Sequence, residues 1–351
     1  MASQHRAKPA TAQDVADLAG SSRTAVSFVL NNKAQGNVSE ATRERILKAA
    51  AELDYRPHPV AQSLRTQRTH LIGVITDAIA SSPFAGQLIS GATELALQQG
   101  YLAAVFDSNG QPEAERRAAR EFRRRRVDGL IYASMTLREV SDVPDAGLPT
   151  VLANCFTADD RLASLIPDED SAGAAAAELL VSLGHRRIAM ISGGRAIAGR
   201  MRQTAFVERL AASGQRPAVR VLPGEWTIDA GYDAAIPVLD VSRATRPTAL
   251  FCVNDRVAAG ALLAATRLGL RVPAELSILG FDDQEELAGN LVPALTTFAL
   301  PHRSMGICAM ETLIAQLAAR TQDEDPTDRA PRRRLLESVL VRRESVGPAP
   351  V

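Results

Sequence analysis

Residues 11–31 read TAQDVADLAGSSRTAVSFVLN and predict two short helices separated by a tight turn. The first helix is predicted to begin at Thr11, because a threonine followed by an acidic residue three positions later forms a helix-capping pattern. Gly20 permits the turn that ends this helix. Ser22 is predicted to cap the second helix, in which apolar residues recur at helical spacing. The pattern is typical of a helix-turn-helix.

The apolar positions of this region predict a small three-helix core. A third helix is predicted to begin after Ser39, which can cap it, and to end before Tyr55 and Pro57. Its apolar face would close the core against the two preceding helices. The residues predicted to face inward are Val15, Leu18 and Ala19; Val26, Val29 and Leu30; and Ile46, Leu47, Ala50 and Leu53.

Charge separates this N-terminal head from the rest of the chain. Residues 1–70 hold 10 Lys and Arg against 6 Asp and Glu, whereas the remaining residues hold 30 against 34. The zero net charge of the 351-residue chain therefore conceals a basic head on an acidic body. A basic head suits contacts with phosphate groups and predicts binding to double-stranded DNA. The candidate contacts on the second helix are Ser22, Arg23, Thr24, Ser27 and Phe28.

Residues 58–70 are predicted to form a hinge helix and a linker. The segment from 59 to 65 is far shorter than the roughly 12 to 15 residues that an isolated helix needs for marginal stability. Ala61 and Leu64 lie on one apolar face, and Arg65 can contact phosphates. DNA or a second subunit could therefore order the segment. A solvated interdomain linker is the alternative interpretation.

From residue 71 the chain alternates short apolar runs with amphipathic helical segments, which predicts an α/β fold with mostly parallel sheets. The runs are LIGVI, LAAVF, GLIYA, TVLAN, RIAMI, AVRVL, ALFCV and LSILG. Ligands of such sheets bind beyond the carboxyl ends of the strands. A polar cleft is expected there, because the residues that follow these runs include Asp77, Asn154, Trp226, Asn254 and Asp282.

Three motifs resemble the lac-repressor (LacI/GalR) family of bacterial transcription regulators: DVADLAGSSRTAVSFVLN, PVAQSLR leading into LIGVI, and GFDD followed by LTTF. They occur in the family's order and span nearly the whole chain. The resemblance implies a three-helix head and a hinge helix before a two-lobed, periplasmic-binding-protein-like core. It places Arg23 and Thr24 in the helix that reads bases in the major groove, and Leu64 where the family wedges a leucine into the minor groove.

This resemblance divides the chain into three parts. They are a DNA-binding head at 1–57, a hinge and linker at 58–70, and an effector-binding and dimerisation core at 71–345. Within the core, the first lobe is predicted to comprise about 71–166 and 296–325, and the second about 167–295 and 326–345.

The resemblance also implies a small-molecule effector, and a carbohydrate is the expected class. Sugar hydroxyls need planar hydrogen-bonding groups, and the apolar side of the sugar ring needs an aromatic face. Arg202 is expected to clamp the hydroxyls, and Trp226, the single tryptophan, to stack on the ring. Core filling by Trp226 and loop capping by Asp282 are the alternatives. The predicted effector contacts are Asp77, Ser81, Phe84, Asn154, Arg202, Trp226, Asn254 and Asp282.

The sequence carries no G-x-S-x-G, no H-E-x-x-H and no cysteine pair with metal-ligand spacing, so no enzyme activity, cofactor or metal is expected. Cys155, Cys252 and Cys308 are far apart in apolar segments and are expected to be buried free thiols. The N-terminus lacks the apolar stretch of a secretory signal, and no membrane-spanning run appears. A cytoplasmic location is therefore expected.

These features together predict a homodimeric, effector-responsive transcription regulator, expected to be a repressor. One small head buries too little surface for useful specificity, so two subunits should read a palindromic operator. A transport-type sugar-binding protein without DNA function would share the core, but it would carry a signal sequence in place of the basic head. A small-molecule enzyme of similar fold would need a catalytic motif.

Overall fold

The computed structural model describes residues 10–30, 37–55, 68–79, 86–216, 218–221, 226–320 and 332–350. The chain forms two compact units, Met1–Thr69 and His70–Val351. Several predicted site residues lie outside the described residues: Ala61, Leu64 and Arg65 of the hinge, and Ser81 and Phe84 of the core.

The first unit contains the helices α1 (Ala12–Ala19), α2 (Arg23–Leu30) and α3 (Glu40–Glu52). The predicted caps are confirmed. The N–H of Thr11 donates to the Asp14 carboxylate at 2.7 Å, and the Thr11 hydroxyl accepts from the Asp14 N–H at 3.3 Å. Gly20 ends α1 with a φ of 57°. The Ser22 hydroxyl accepts the N–H of Ala25 at 3.1 Å and starts α2.

The core of this unit differs from the prediction at two positions. Leu18 and Leu47 are wrongly predicted as inward-facing, since they are 49% and 41% exposed. Successive residues turn by about 100° around a helix, so Leu18 points about 160° away from the buried Ala16 and lies outside the covered face. The buried residues are Val15, Ala16, Ala19, Val26, Val29, Ile46, Ala49 and Ala50. The three helices thus pack largely through small side chains.

The second unit contains twelve named strands and eight further helices in its described part. The strands are β1 (Leu71–Thr76), β2 (Leu102–Asp107), β3 (Gly129–Glu139), β4 (Thr150–Phe156), β5 (Ala163–Pro167), β6 (Ile188–Ser192), β7 (Ala218–Val221), β8 (Ala249–Cys252), β9 (Ser277–Leu279), β10 (Thr297–Ala299), β11 (Arg333–Leu336) and β12 (Val339–Val341). The helices are α4 (Gly86–Gln98), α5 (Pro112–Arg124), α6 (Glu169–Ser182), α7 (Ile197–Ala212), α8 (Ile228–Leu239), α9 (Asp255–Arg267), α10 (Glu285–Ala288) and α11 (His302–Ala319).

Two parallel sheets form the two lobes, as predicted. The first sheet has six strands in the order β11-β5-β4-β3-β1-β2, and the second has four in the order β7-β6-β8-β9. Every pair within these sheets is parallel. A short antiparallel ladder joins β10 to β12. Strands β5, β10, β11 and β12 do not correspond to any of the eight apolar runs on which the prediction depended.

The described chain passes from one lobe to the other at three points. It crosses between β5 and α6, between β10 and α11, and between β11 and β12. The crossing predicted near residue 325 is wrong, because β11 pairs with β5 in the first sheet. A second crossing is predicted near residue 295, but in the structure it lies a few residues later, after β10. Phe298 of β10 still packs in the core of the second lobe. Arg333 helps to hold β11 in place by donating from Nε to the Asp160 carboxylate at 2.9 Å.

Apolar side chains cover both faces of each sheet. In the first lobe, Val74 packs on the side of α11, while Ile75 packs on the side of α5. In the second lobe, Leu250 and Phe251 face opposite layers in the same way. Burying each such side chain is worth about 1.5–3 kcal/mol, so these layers fix the strand ends that carry the polar residues.

Candidate DNA-binding and ligand-binding sites

The exposed face of α2 carries the predicted DNA contacts. Ser22, Arg23 and Thr24 are exposed, and Ser27 and Phe28 are half-buried. The opposite face is anchored in the core by buried valines. An exposed, rigid helix with arginine and hydroxyl side chains has the chemistry that reads base edges and phosphates in the major groove. The structure therefore presents these side chains together on one surface.

Arg202 is the centre of a buried polar group in the second lobe. Its guanidinium donates to the Glu169 carboxylate from Nη2 at 2.9 Å and also from Nε, and to the Val253 carbonyl from Nη1 at 2.7 Å. The Asp282 carboxylate lies 3.6 Å from Nη1. The Arg202 residue is only 1% exposed. Its orientation is therefore fixed by contacts within the lobe.

The flat face of the same guanidinium stacks on an aromatic ring. Its central carbon lies 3.6 Å from the centroid of Phe281 and 5.9 Å from that of Trp226. Burial alone would lower the pKa of the Arg202 side chain, but the neighbouring Glu169 carboxylate raises it above its ordinary value. The guanidinium therefore stays charged although it is buried.

Two aspartates of the second lobe are buried beside this group. Burial raises the pKa of Asp282 to about 7, although Arg202 opposes the rise. Burial and the nearby Asp282 raise the pKa of Asp255 to about 8. Asp255 accepts from the Thr297 hydroxyl at 2.6 Å and from the N–H of Gln284 at 2.7 Å. The pKa values of both carboxyl groups therefore lie well above the ordinary aspartate value, because burial disfavours their charged form.

Asn254 and Trp226 complete the second-lobe group. The Oδ1 atom of Asn254 caps α9 by accepting the N–H of Val257 at 2.9 Å, and Nδ2 donates to the carbonyl of Trp226 at 3.5 Å. The Trp226 indole lies against Gly193, where a Cβ atom would come within 2.3 Å of the ring carbon Cε2. Glycine is therefore required for the ring to occupy this position.

In the first lobe, Asp77 and Asn154 converge on the backbone of Ser134 and Met135. Asp77 accepts from the N–H of Met135 at 2.7 Å and from the Ser134 hydroxyl at 2.7 Å. Asn154 donates from Nδ2 to the carbonyls of Ser134 at 3.0 Å and Met135 at 3.2 Å. Arg138 lies 3.4 Å from the Asp77 carboxylate. These bonds order the polar end of the first sheet.

Apolar contacts join the lobes beside the polar groups. The first lobe contributes Leu137, Phe156 and Ile166, and the second contributes residues of α7 together with Trp226. The predicted contacts are thus brought together in two sets. The first-lobe set is Asp77 and Asn154, and the second-lobe set is Arg202, Trp226, Asn254 and Asp282.

Several residues of this region were missed by the sequence prediction. Glu169 begins α6 beside the capping residue Asp168, where acidic residues are common, so nothing in the sequence marks it as buried. Phe281 has the sequence pattern of an ordinary core residue, so nothing local indicates its contact with Arg202. His302 starts α11 at the second crossing, and burial together with Arg202 lowers its pKa to about 4.

Other predictions concern chemistry outside this region. Cys155, Cys252 and Cys308 are free thiols, of which the first two are buried and the third is half-buried. Burial raises the pKa of the Cys155 thiol to about 12. Among the described residues, no group of three or more His, Cys, Asp and Glu could hold a metal ion. None of the helices in the described part of the chain is long and apolar enough to cross a membrane.

The fold and the sites define a class of protein: a helix-turn-helix head joined to a two-lobed, ligand-binding type of core. Comparison with protein families agrees. Residues 11–58 match the bacterial regulatory proteins of the lacI family, and residues 177–346 match the periplasmic binding protein-like domain. Two curated relatives match most of the chain. The HTH-type transcriptional repressor PurR of Vibrio vulnificus is 33% identical over 90% of this chain and 94% of its own. The ribose operon repressor of Haemophilus influenzae is 30% identical over 96% of this chain and 98% of its own.

Solved structures show the same relationship. The lac repressor dimer bound to operator and the anti-inducer ONPF matches with a TM-score of 0.76 and 30% identity, over 97% of this chain and 100% of that chain. The complex of the transcriptional regulator CelR with cellobiose matches with a TM-score of 0.64 and 27% identity, over 96% and 99% of the two chains. The chain therefore belongs to the LacI family of bacterial transcription regulators.

Proposed function

We propose that this chain is a cytoplasmic, homodimeric transcriptional repressor that binds an inverted-repeat operator and is controlled by a small-molecule effector of the carbohydrate type. The observation that carries the proposal is the combination, in one chain, of the exposed α2 face with the buried Arg202 group of the second lobe. The first provides DNA contacts, and the second provides donors and acceptors for hydroxyl groups. The curated relatives, named as repressors, and the sugar-bound CelR neighbour support it.

In this proposal Ser22, Arg23, Thr24, Ser27 and Phe28 contact the operator. The hinge contacts Ala61, Leu64 and Arg65 stay predictions from the sequence. Ligand contacts come from the first-lobe and second-lobe sets, with Ser81 and Phe84 as further candidates. The basic head distinguishes this protein from a transport-type sugar-binding protein, because phosphate contacts would have no purpose there. No catalytic role is assigned to any residue.

The dimer is proposed to form at the exposed apolar edge of the first lobe. Strand β2 is an edge strand, and its first residue Leu102 is 66% exposed, while Leu97 at the end of α4 is 70% exposed. Unpaired edge strands and exposed apolar patches mark association sites. Sedimentation should show a dimer that Leu102→Glu weakens and the apolar control Leu102→Met preserves. A stable monomer at micromolar concentration would contradict this assignment.

Selection from a randomised duplex library tests the DNA function directly. The full chain should enrich an inverted repeat, because two symmetric heads read two half-sites. Arg23→Ala should relax the preference at one position in each half-site and cost about 1–3 kcal/mol per contact. The control Arg43→Ala, at an exposed α3 arginine paired with Glu40, should leave the enriched sequence unchanged. Recovery of random sequence with the unmodified protein would contradict the proposal.

A further inference from the structure

The Arg202 guanidinium already binds a carboxylate of its own lobe. Nη2 donates to Oε1 of Glu169 at 2.9 Å, and Nε donates to Oε2 of the same group. Both side chains are almost completely buried. Arginine uses the same bidentate hydrogen bonding to recognise a carboxylate or phosphate group of a ligand. Glu169 therefore occupies the edge of Arg202 that an anionic ligand would require.

The backbone fixes this arrangement. Glu169 is the first residue of α6, and Asp168 caps the helix by accepting the N–H of Ser171 at 3.0 Å. One turn later, Gly173 contacts the backbone of α7, and a Cβ atom there would lie 2.5 Å from the carbonyl oxygen of Arg202. The two helices thus approach closely enough for Glu169 to reach the guanidinium. Helix packing therefore holds Glu169 and Arg202 together, in contrast to ion pairs between mobile side chains on a surface.

The remaining groups around Arg202 favour hydroxyls over anions. Within the described residues, three of the five N–H groups of Arg202 have acceptors, namely one each at Nε, Nη1 and Nη2. Asp282 lies 3.6 Å away and adds a second acidic group. Because Glu169 already balances the charge of Arg202, an anion at this guanidinium would also meet the nearby acidic groups Asp282 and Asp255. A ligand hydroxyl can donate to a carboxylate and accept from an N–H, so it can hydrogen-bond to both the acidic groups and the guanidinium.

We propose that Glu169 is a specificity-determining residue that restricts the ligand of this pocket to uncharged, hydroxyl-rich molecules and excludes phosphorylated or carboxylated ones. The inference rests on the proposed function, since it specifies the effector of the same pocket. Removing the negative charge of Glu169 should expose the guanidinium to external anions. The pocket of a Glu169→Gln variant would then bind an anion that the unmodified protein rejects.

Inorganic phosphate is the probe for this inference. Thermal unfolding of the full chain is measured with phosphate against chloride at constant ionic strength. Glu169→Gln should gain a phosphate-dependent rise in Tm, and the unmodified protein should show none. The matched control is Glu178→Gln on the same helix, where an exposed glutamate pairs with Arg209 on α7 at 2.7 Å. The double variant Glu169→Gln/Arg202→Gln should lose the rise, because the cation that holds phosphate is gone.

A second arm uses the unmodified protein alone and does not depend on the folding of any variant. Neutral sugars are compared with their own phosphorylated and carboxylated forms, such as ribose with ribose 5-phosphate and galactose with galacturonate. Any rise in Tm should come from the neutral member of a pair. A rise caused by phosphate or by an anionic member, and abolished by Arg202→Gln, would overturn the inference. So would a folded Glu169→Gln variant that ignores phosphate.

These readouts are separate from the test of the proposed function. Failure to select an operator would remove the DNA-binding role and leave the phosphate result unaffected. A normal operator selection combined with anion binding at Arg202 in the unmodified protein would instead remove only the assignment of Glu169.

Discussion

The side chain of Asn254 joins the start of α9 to the backbone at Trp226. Its Nδ2 donates to the Trp226 carbonyl at 3.5 Å, while its Oδ1 accepts the N–H of Val257 at 2.9 Å. One residue thus serves both as a helix cap and as a contact to the segment that carries the proposed stacking ring. The two roles can be separated by substitution, because the Nδ2 donor belongs to the amide, whereas the shorter hydroxyl of serine can still accept the N–H of Val257.

Asn254→Ala should lower the free energy of unfolding by about 1 kcal/mol through loss of the cap. Asn254→Ser keeps an oxygen acceptor for the helix and should remain close to the unmodified protein in stability. Both variants should bind the effector more weakly, since neither has the Nδ2 donor. Urea unfolding measures the first effect and ligand-induced change in Tm the second. An unchanged ligand response in Asn254→Ser would show that Asn254 acts only as a cap.

The Arg202–Glu169 pair should show strong energetic coupling. Arg202→Met or Glu169→Met alone removes one partner of a buried, hydrogen-bonded ion pair and should cost about 3–5 kcal/mol. The double variant removes both charges and should be more stable than either single variant. Urea unfolding of the four proteins gives the coupling free energy. Additive losses in the double variant would contradict the direct pairing of these side chains.

The buried aspartates predict that the free energy of unfolding falls as pH rises from about 4 to about 8. The folded-state pKa values of Asp255 and Asp282, about 8 and about 7, lie above the ordinary aspartate value of 3.8. The folded protein therefore binds more protons than the unfolded chain between about pH 4 and pH 8, and the free energy of unfolding decreases with pH in that window. The stabilising contribution is complete below the unfolded-state pKa and is lost as pH rises through the folded-state values.

Asp255→Asn should remove much of this decline, because asparagine carries no proton to lose. Its amide can still accept from the N–H of Gln284 and donate to the Thr297 hydroxyl. Asp233→Asn, at an exposed aspartate on α8, is the matched control. Unfolding free energies measured from pH 5 to pH 9 test the prediction. A decline of equal size in Asp255→Asn and in the unmodified protein would contradict the assignment.

Trp226 should report ligand binding through its fluorescence, because it is the only tryptophan of the chain. Gly193→Ala should displace the indole, since the added Cβ would lie 2.3 Å from the ring. We expect a shifted emission maximum and a weakened ligand response in this variant. The control Gly86→Ala adds a methyl group at a position where no atom of the described residues lies within 4 Å. Normal emission and ligand binding in Gly193→Ala would contradict the proposed stacking role.

The sequence was sufficient for the elements that have strong local signals. Thr11 and Ser22 act as caps because their hydroxyls satisfy N–H groups in the first helical turn, and that depends on neighbouring residues alone. The eight apolar runs of the core correspond to strands for a similar reason, since both faces of a parallel sheet are buried. Parallel pairing follows from the helices between them.

Other features depend on distant parts of the chain. Periodicity predicts that Leu18 faces inward, but the packing of three helices through small side chains decides which side of the helix is covered. Strand β11 joins the first sheet by pairing with β5, which lies about 170 residues earlier in the chain. No local sequence pattern predicts that pairing. Glu169 is buried because α6 and α7 approach closely, so its role as the partner of Arg202 appears only in three dimensions.

The structure also changes which variants are informative at the ligand pocket. Asp282 has a φ of 107°, so Asp282→Ala would place a methyl side chain in a backbone conformation that favours glycine. Asp282→Asn keeps the shape and hydrogen-bonding size of the residue while removing its charge. This variant is therefore preferred for testing the control of DNA binding by ligand.

The most direct test of the account is the affinity for the selected operator, measured at fixed salt with and without a saturating ligand identified by thermal shift. The ligand should change the operator Kd at least fivefold, and the operator should change the ligand Kd by the same factor, because such coupling is reciprocal. Asp282→Asn should lose this response and keep the operator Kd of the ligand-free protein. An operator Kd that does not respond to saturating ligand, or an undiminished response in Asp282→Asn, would contradict ligand control through this pocket.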